Sequence, residues 1–180
     1  MIIYLAGKIN KAGWRDDILG DRGGSLENPD DPTRWPILEK VIFGEHDYAG
    51  PFFVSCDHGC AHGPNTHGIA AGGINADTSG CIETLPNRIS IINRCEDAIT
   101  QSDLVFAWIQ DLTTFGTLYE IGYARGHNVP TFVAFSDKSL YSDLWFAALG
   151  SRHRVLGTTT RKTSPKQALK QAINLHKTQK

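Results

Sequence analysis

Short apolar runs that alternate with amphipathic stretches are the feature that most limits the fold of this chain. Residues 2–6, 103–109 and 129–135 have the length and unbroken hydrophobicity of strands that are buried on both faces. Residues 86–102 carry apolar side chains at helical spacing, and residues 116–127 are typical of a helix that ends near a glycine. This alternation predicts a mostly parallel sheet covered by helices, the three-layer sandwich of the α/β class. Ligands of such folds bind beyond the carboxyl ends of the strands.

The remaining segments extend the same alternation. Residues 51–56 and 153–157 predict two more strands, and residues 139–149 predict an aromatic helix. Ser164 is a favourable N-cap and Pro165 suits a first helical turn, so a final helix is predicted to begin there.

The length of 180 residues predicts a single domain, residues 1–180, with one substantial core. Two stretches, about residues 20–32 and 57–80, are rich in glycine and polar residues and predict long loops. Loops of this length are uncommon in a compact domain unless they bind something or are disordered.

Composition excludes several classes of protein. The formal net charge of -1 supplies no overall field for a nucleic acid polymer, so no such partner is expected. No apolar run reaches the length of a membrane span, and the first residues lack the basic leader of a signal peptide. The four cysteines are then expected to be thiols of a reducing compartment, which predicts a cytoplasmic protein.

Glu120 is the most informative acidic residue of the sequence. It falls in the first turns of a predicted helix that directly follows a buried strand and a polar turn. Its carboxylate is therefore expected at the carboxyl edge of the sheet, where a ligand would lie. The alternative is an acidic residue that only interacts with the positive helix N-terminus, an effect worth up to about 1 kcal/mol.

The surroundings of Glu120 resemble the nucleoside 2-deoxyribosyltransferase family and its nucleotide N-hydrolase relatives. The matching positions are Asp103, Gly116-Thr117, the segment Glu120-x-Gly122-x-Ala124 and the opening IYLAG at residues 3–7. Together with their neighbours these pieces cover about a third of the chain. The resemblance implies a single-domain Rossmann-like or flavodoxin-like sandwich, and a homo-oligomer whose subunits share sites.

The resemblance also implies the chemistry. Glu120 matches the family's catalytic nucleophile, and Tyr4 matches a tyrosine that ends the first strand and holds that carboxylate in place. Breaking an N-glycosidic bond builds positive charge on the sugar, which a carboxylate can stabilise and then trap as a glycosyl ester. The expected activity is transfer of the deoxyribosyl group from a 2′-deoxynucleoside to another nucleobase. With water as acceptor, the same carboxylate would hydrolyse a nucleoside, a nucleotide or NAD.

Substrate contacts are expected from residues that flank the predicted strand ends. Trp14 and Arg15 would stack on or clamp a nucleobase or phosphate, and Asp111 would accept hydrogen bonds from sugar hydroxyls. The full set of expected substrate-binding residues is Gly7, Trp14, Arg15, Asp57, His58, Arg94, Asp111, Thr114, Gly116, Ser142 and Asp143.

Two positions depart from the family pattern. Thr114 stands six residues before Glu120, where relatives carry an aspartate or serine that meets the sugar or its phosphate. Cys95 stands where the family tends to place an aspartate that contacts the base. The acid would then come from Glu96 or Asp97, from an aspartate of the long loops, or from another source, although a solvated helix face is the favoured interpretation for Glu96 and Asp97.

The stretch CDHGCAHGPNTHG at residues 56–68 concentrates residues that bind metals. Its spacing does not match a Cys-x-x-Cys zinc knuckle, and the chemistry implied above requires no cofactor. Three interpretations stay open: a structural zinc ion, direct ligand contact through Asp57 and His58, and a loop whose histidines bond to its own backbone. The zinc ligands would be Cys56, Cys60, His62 and His67. A zinc-stiffened nucleotide-binding module without turnover is therefore the functional alternative.

Overall fold

A computed structural model describes residues 1–8, 13–19, 41–51, 85–150 and 164–178. Strands and helices alternate through most of this part of the chain. The elements in chain order are β1 (Ile2–Gly7), α1 (Asp16–Leu19), β2 (Val41–Ile42), β3 (His46–Gly50), α2 (Leu85–Thr100), β4 (Leu104–Ile109), α3 (Phe115–Gly126), β5 (Thr131–Phe135), α4 (Lys138–Asp143), α5 (Trp145–Gly150) and α6 (Pro165–Thr178).

The described strands form one sheet in the order β2-β3-β1-β4-β5. Four of them, β3, β1, β4 and β5, are parallel, and β2 pairs with β3 in the antiparallel direction at one edge. The central pair is in continuous register, from Ile3 opposite Leu104 to Gly7 opposite Trp108. The predicted α/β class with a mostly parallel sheet is thus confirmed.

Side-chain direction along β1 shows which helices cover each face. Tyr4 points to the face covered by α3, where its hydroxyl meets Glu120. Successive strand residues point to opposite faces, so Leu5 and its partner in β4, Phe106, point the other way. There Trp14 packs against Phe106 with ring centroids 6.0 Å apart. Helices α2 and α3 pack together over the first face, and α1 and α6 contact each other on the second.

The core consists mainly of the central strands. All six residues of β4 and all five of β5 are buried, as expected for parallel strands covered on both faces. Each large apolar side chain buried in this way contributes roughly 1.5 to 3 kcal/mol relative to exposure. Helix α6 closes the second face, where Ala168, Leu169 and Ala172 are buried.

The start of α6 confirms the predicted cap. The Ser164 hydroxyl accepts a hydrogen bond from the Gln167 amide at 3.2 Å, and the Ser164 amide donates to the Gln167 side-chain oxygen at 3.3 Å. This reciprocal pair is a capping box, which satisfies two amide groups that an isolated helix would leave unpaired.

Some predicted elements differ from the observed ones. The single helix expected at residues 139–149 is two helices, because Leu144 leaves helical geometry after α4. The strand before the long loop is β3, which ends at Gly50, so Pro51 does not begin a strand. The rest of that predicted strand, the predicted strand at 153–157 and the loops at about 20–32 and 57–80 lie outside the described residues.

None of the described helices has both the length and the hydrophobicity needed to cross a membrane.

Candidate active site

Tyr4 and Glu120 meet between β1 and α3. Tyr4 is the third of the six residues of β1, so it lies in the middle of the strand and not at its end, where the resemblance placed it. Its side chain is fully buried. Glu120 lies in the second turn of α3 and is half-buried. The Tyr4 hydroxyl donates a hydrogen bond to Glu120 Oε1. The structure therefore brings together the two residues that the resemblance assigns to catalysis.

The environment of Glu120 raises the pKa of its carboxyl group to about 7. Removal from water is the largest cause, because burial disfavours the charged form. The hydrogen bond from Tyr4 and the positive charge of Arg15 act in the opposite direction and lower the pKa. Near neutral pH the group is thus divided between its carboxylate and carboxylic acid forms.

The second oxygen of the Glu120 carboxyl group is left for another partner. Tyr4 occupies Oε1, whereas no hydrogen bond from the part of the chain that the structure describes reaches Oε2. In this part of the chain, Oε2 is not one of the fully buried polar atoms that lack a hydrogen-bond partner. An oriented carboxylate with one held and one unpaired oxygen suits attack on an electrophilic carbon.

Cys95 of α2 completes the surroundings of Tyr4. Cys95 is half-buried and packs against the core, and its charge is one of the causes that raise the pKa of Tyr4. Burial, and then the charge of Glu120, raise the pKa of Cys95 to about 11, and burial raises the pKa of Tyr4 well above its ordinary value. Both groups are therefore protonated at neutral pH. The sequence marked Cys95 only as a departure from the family pattern, and it did not predict the effect of Glu120 on the pKa of this thiol.

A contact between helices lies beside this site. The Tyr119 hydroxyl on α3 donates a hydrogen bond to the Glu96 carboxylate on α2. These two residues precede and follow Glu120 and Cys95 in sequence, so the bond ties the helices together next to the site. Glu96 is engaged there and Asp97 is exposed. Neither forms a hydrogen bond with Glu120 among the described contacts, and their role as an acid stays a prediction.

A polar cluster occupies the carboxyl ends of β1 and β4. The Lys8 ammonium lies 3.1 Å from Asp111 Oδ2 and 3.1 Å from the Thr113 hydroxyl. Asp111 Oδ1 accepts from the Thr113 amide at 2.8 Å and from its hydroxyl at 2.6 Å. The hydrogen bond from the Thr113 hydroxyl is the main factor that lowers the pKa of Asp111. Both Asp111 oxygens already have partners. Lys8 also belongs to this cluster, although the sequence did not predict it as a site residue.

Thr114 and Gly116 lie at the start of α3. Thr114 is the buried N-cap residue, and its hydroxyl donates to the Asp111 carbonyl oxygen at 3.3 Å instead of capping the helix. Apart from its chain neighbours and its own helix, a Cβ atom added at Gly116 would meet no atom of the described residues within 4 Å. Their contacts with a substrate stay predictions.

Arg15, Trp14 and Gly7 pack together at the end of β1. The buried guanidinium of Arg15 donates to the carbonyl oxygens of Leu5, Gly7 and Lys8 at 2.6 to 3.0 Å. Gly7 has a φ of +154°, and a Cβ there would lie 2.9 Å from the Trp14 ring. Trp14 is only 4% exposed. These contacts join the end of β1 to the residues just before α1, and direct substrate contact by any of them stays a prediction.

The other expected site residues are less closely connected to this centre. Arg94 is half-buried on α2, and Ser142 and Asp143 are exposed at the end of α4. The residues of the Cys/His stretch lie outside the described part of the chain: Cys56, Asp57, His58, Cys60, His62 and His67. Within the described ranges no group of three histidine, cysteine, aspartate or glutamate side chains is arranged to hold a metal ion. The zinc site stays a prediction for the undescribed stretch.

No protein-family model, curated protein or solved structure matches this chain. Its function is therefore inferred from the geometry around Glu120 and from the resemblance of a few short segments.

Proposed function

We propose that this protein cleaves the N-glycosidic bond of a 2′-deoxynucleoside and transfers the deoxyribosyl group to another nucleobase through Glu120. The observation that carries the proposal is the half-buried Glu120 carboxyl group, one oxygen of which is held by the Tyr4 hydroxyl. A carboxyl group that only complemented the helix dipole would need neither a buried tyrosine partner nor removal from water.

The proposed reaction has two halves. In the first, Glu120 Oε2 forms a bond with the anomeric carbon while the bond from that carbon to the base nitrogen breaks. The base leaves with the electron pair and takes a proton, which yields a glycosyl ester on the enzyme. In the second half, a ring nitrogen of the incoming base attacks the same carbon, the carboxylate leaves, and the attacking nitrogen releases its proton, which balances the proton that the first base took up.

The raised pKa of Glu120 favours this mechanism energetically. Burial destabilises the charged carboxylate, and formation of the ester removes that charge. The Tyr4 hydroxyl limits the penalty by stabilising the carboxylate, so a reactive fraction is ionised near neutral pH. The balance between the two effects sets the pH range in which the nucleophile works.

Hydrolysis is the second candidate, because water can replace the acceptor base in the second half. Incubation with deoxyinosine and free adenine, followed by chromatography, separates the functions. Deoxyadenosine as product supports the transferase, and hypoxanthine without deoxyadenosine supports a hydrolase. Binding of deoxyinosine without any product would contradict both and support the nucleotide-binding module.

The role of Glu120 is tested with a matched pair of variants in the same assay. Glu120→Gln keeps the size of the side chain but removes the nucleophile, and we expect a loss of at least about a thousandfold. Glu45→Gln removes an exposed carboxyl group in the turn between β2 and β3 and is expected to keep full activity. Comparable activity in the two variants would exclude Glu120 as the nucleophile.

A further inference from the structure

The carboxyl end of β1 extends beyond its neighbour β3. Within the described residues, β3 ends at Gly50, which lies opposite Tyr4, whereas β4 stays paired with β1 as far as Gly7. The Ile2 carbonyl accepts from the amide just before β4, and successive carbonyls of a strand point to opposite sides. The carbonyls of Leu5 and Gly7 therefore point to the side of β3, at positions that β3 does not reach.

The guanidinium of Arg15 binds the backbone at these positions. Its Nε and Nη2 groups donate to the Leu5 carbonyl at 2.9 and 2.6 Å, Nη2 also donates to the Gly7 carbonyl at 2.8 Å, and Nη1 donates to the Lys8 carbonyl at 3.0 Å. Four of the five N–H groups of the guanidinium thus bind the backbone of residues 5–8. Arg15 is only 2% exposed, and burial of a charged group is costly unless hydrogen bonds of this kind compensate it.

The segment that Arg15 binds lies between two contacts with α3 and the turn before it. Tyr4, one residue before this segment, donates to Glu120 Oε1 on α3. Lys8, the last residue of the segment, donates to Asp111 Oδ2 at 3.1 Å in the turn that precedes α3. A shift of residues 5–8 would therefore move both side chains relative to α3.

We propose that Arg15 is a positioning residue, which takes the place of β3 beside the end of β1 and so aligns the Tyr4 hydroxyl with Glu120. Gly7 leaves room for this arrangement, because a Cβ there would lie 2.9 Å from the Trp14 ring. The guanidinium carbon of Arg15 lies 4.5 Å from the centre of the same ring. This inference deepens the proposed function and rests on it, because it assigns Arg15 to alignment of the nucleophile instead of contact with the substrate.

An effect of charge alone is the alternative, because the positive charge of Arg15 also lowers the pKa of Glu120. The test separates the two explanations with Arg15→Ala, which lacks Cγ, Cδ and the guanidinium. Ethylguanidinium has the size and shape of the missing atoms, whereas ethylammonium supplies the charge without the planar fork of donors. The wild type with each ion is the control.

The first readout is kcat for the exchange between deoxyinosine and adenine. Arg15→Ala should lower kcat by roughly ten- to a hundredfold, because the nucleophile is misaligned. Ethylguanidinium should restore most of this loss, and ethylammonium should restore much less. An undiminished kcat in Arg15→Ala, equal restoration by the two ions, or restoration by neither would overturn the proposal.

The second readout requires no turnover. In the wild type, the carbon-13 resonance of Tyr4 Cζ should move as Glu120 titrates, because the tyrosine hydroxyl donates to that carboxyl group. The movement should shrink by about half in folded Arg15→Ala, since hydrogen bonds weaken steeply when misaligned, and it should recover with ethylguanidinium. If Arg15 only stabilised the fold, the variant would unfold more easily and the movement would stay unchanged, which would contradict the proposal.

Two further measurements cover the case in which Arg15→Ala does not fold. Arg15→Lys keeps the charge, but one ammonium cannot span the Leu5 and Lys8 carbonyls as a planar fork does, so kcat should stay at least about tenfold below the wild type. In the wild type, the Arg15 Nε proton should exchange with solvent as slowly as the amides of the core. Wild-type activity in Arg15→Lys, or rapid exchange of that proton, would contradict the proposal.

The two readouts also separate this inference from the proposed function. Recovery of the Tyr4 movement by ethylguanidinium in a protein without glycosyl transfer would overturn the proposed function and leave the positioning role of Arg15 standing. Glycosyl transfer that Arg15→Ala leaves intact would overturn the role of Arg15 alone.

Discussion

At the scale of single residues, the pKa of Glu120 depends on opposing effects, of which burial is the largest. Burial raises its pKa, while the Tyr4 hydroxyl and the charge of Arg15 lower it. The sequence predicted Tyr4 and Glu120 as a pair only through the family resemblance, since they are 116 positions apart. The influence of Cys95 on the pKa of Tyr4 was not predictable, because a cysteine at helical spacing is equally well explained by core packing.

Replacement of Tyr4 by phenylalanine should make Glu120 harder to ionise. The lost hydrogen bond to a charged acceptor is worth about 1.5 kcal/mol, which corresponds to a rise of about one pKa unit. The acidic limb of kcat/KM should move upward accordingly, and activity at pH near 6 should fall about tenfold. Tyr141→Phe removes a half-buried hydroxyl beside Phe135 and serves as the control. An unmoved acidic limb in Tyr4→Phe would show that the hydroxyl does not stabilise the carboxylate.

The raised pKa of Glu120 also predicts how stability depends on pH. The folded state holds the proton up to about pH 7, whereas the unfolded chain releases it near 4.3. The stabilisation is therefore fully present below the unfolded value and is lost as pH rises through the folded value. Between about pH 5 and about pH 8, the unfolding free energy of the wild type should fall relative to Glu120→Gln by on the order of 2 kcal/mol. Urea unfolding of both proteins across this pH range measures the difference. Unfolding free energies that depend on pH in the same way in the two proteins would contradict the prediction.

At the scale of elements, the strands buried on both faces were the most predictable. Residues of β4 and β5 form unbroken apolar runs, and their predicted bounds differ from the observed ones by no more than two residues. β3 was missed because His46 and Asp47 give its sequence a polar start and its burial alternates. The break between α4 and α5 was also missed, because Leu144 carries no glycine or proline signal.

The capping box of α6 predicts a stability effect that is independent of function. Ser164→Ala removes the acceptor for the Gln167 amide and should lower the unfolding free energy by about 1 kcal/mol. Gln171→Ala, at an exposed position inside the same helix, should leave stability nearly unchanged or slightly higher. Chemical denaturation of both variants measures their unfolding free energies. Equal values would show that the capping box contributes nothing to stability.

At the scale of the whole molecule, strand order determines where a ligand can bind. β1 lies between β3 and β4. After β1 the chain forms β2 and β3 on one side of it and then crosses over to form β4 on the other side. In open parallel sheets the crevice at such a switch lies beyond the carboxyl ends of the strands. Lys8, Asp111 and Thr113 occupy those ends, and the Tyr4–Glu120 pair lies on the α3 face of the same two strands. Alternation of elements predicted the sheet, but no local pattern encodes the order of its strands.

Trapping of the glycosyl ester tests the role of Glu120 most directly. A 2′-deoxy-2′-fluoro nucleoside slows both halves of the reaction, because fluorine disfavours positive charge at the anomeric carbon. After incubation and digestion, mass spectrometry should find the fluorinated sugar on the peptide that contains Glu120, and free adenine should remove it. An adduct on a different residue, or turnover of deoxyinosine by Glu120→Gln at the wild-type rate, would contradict covalent catalysis by this carboxylate.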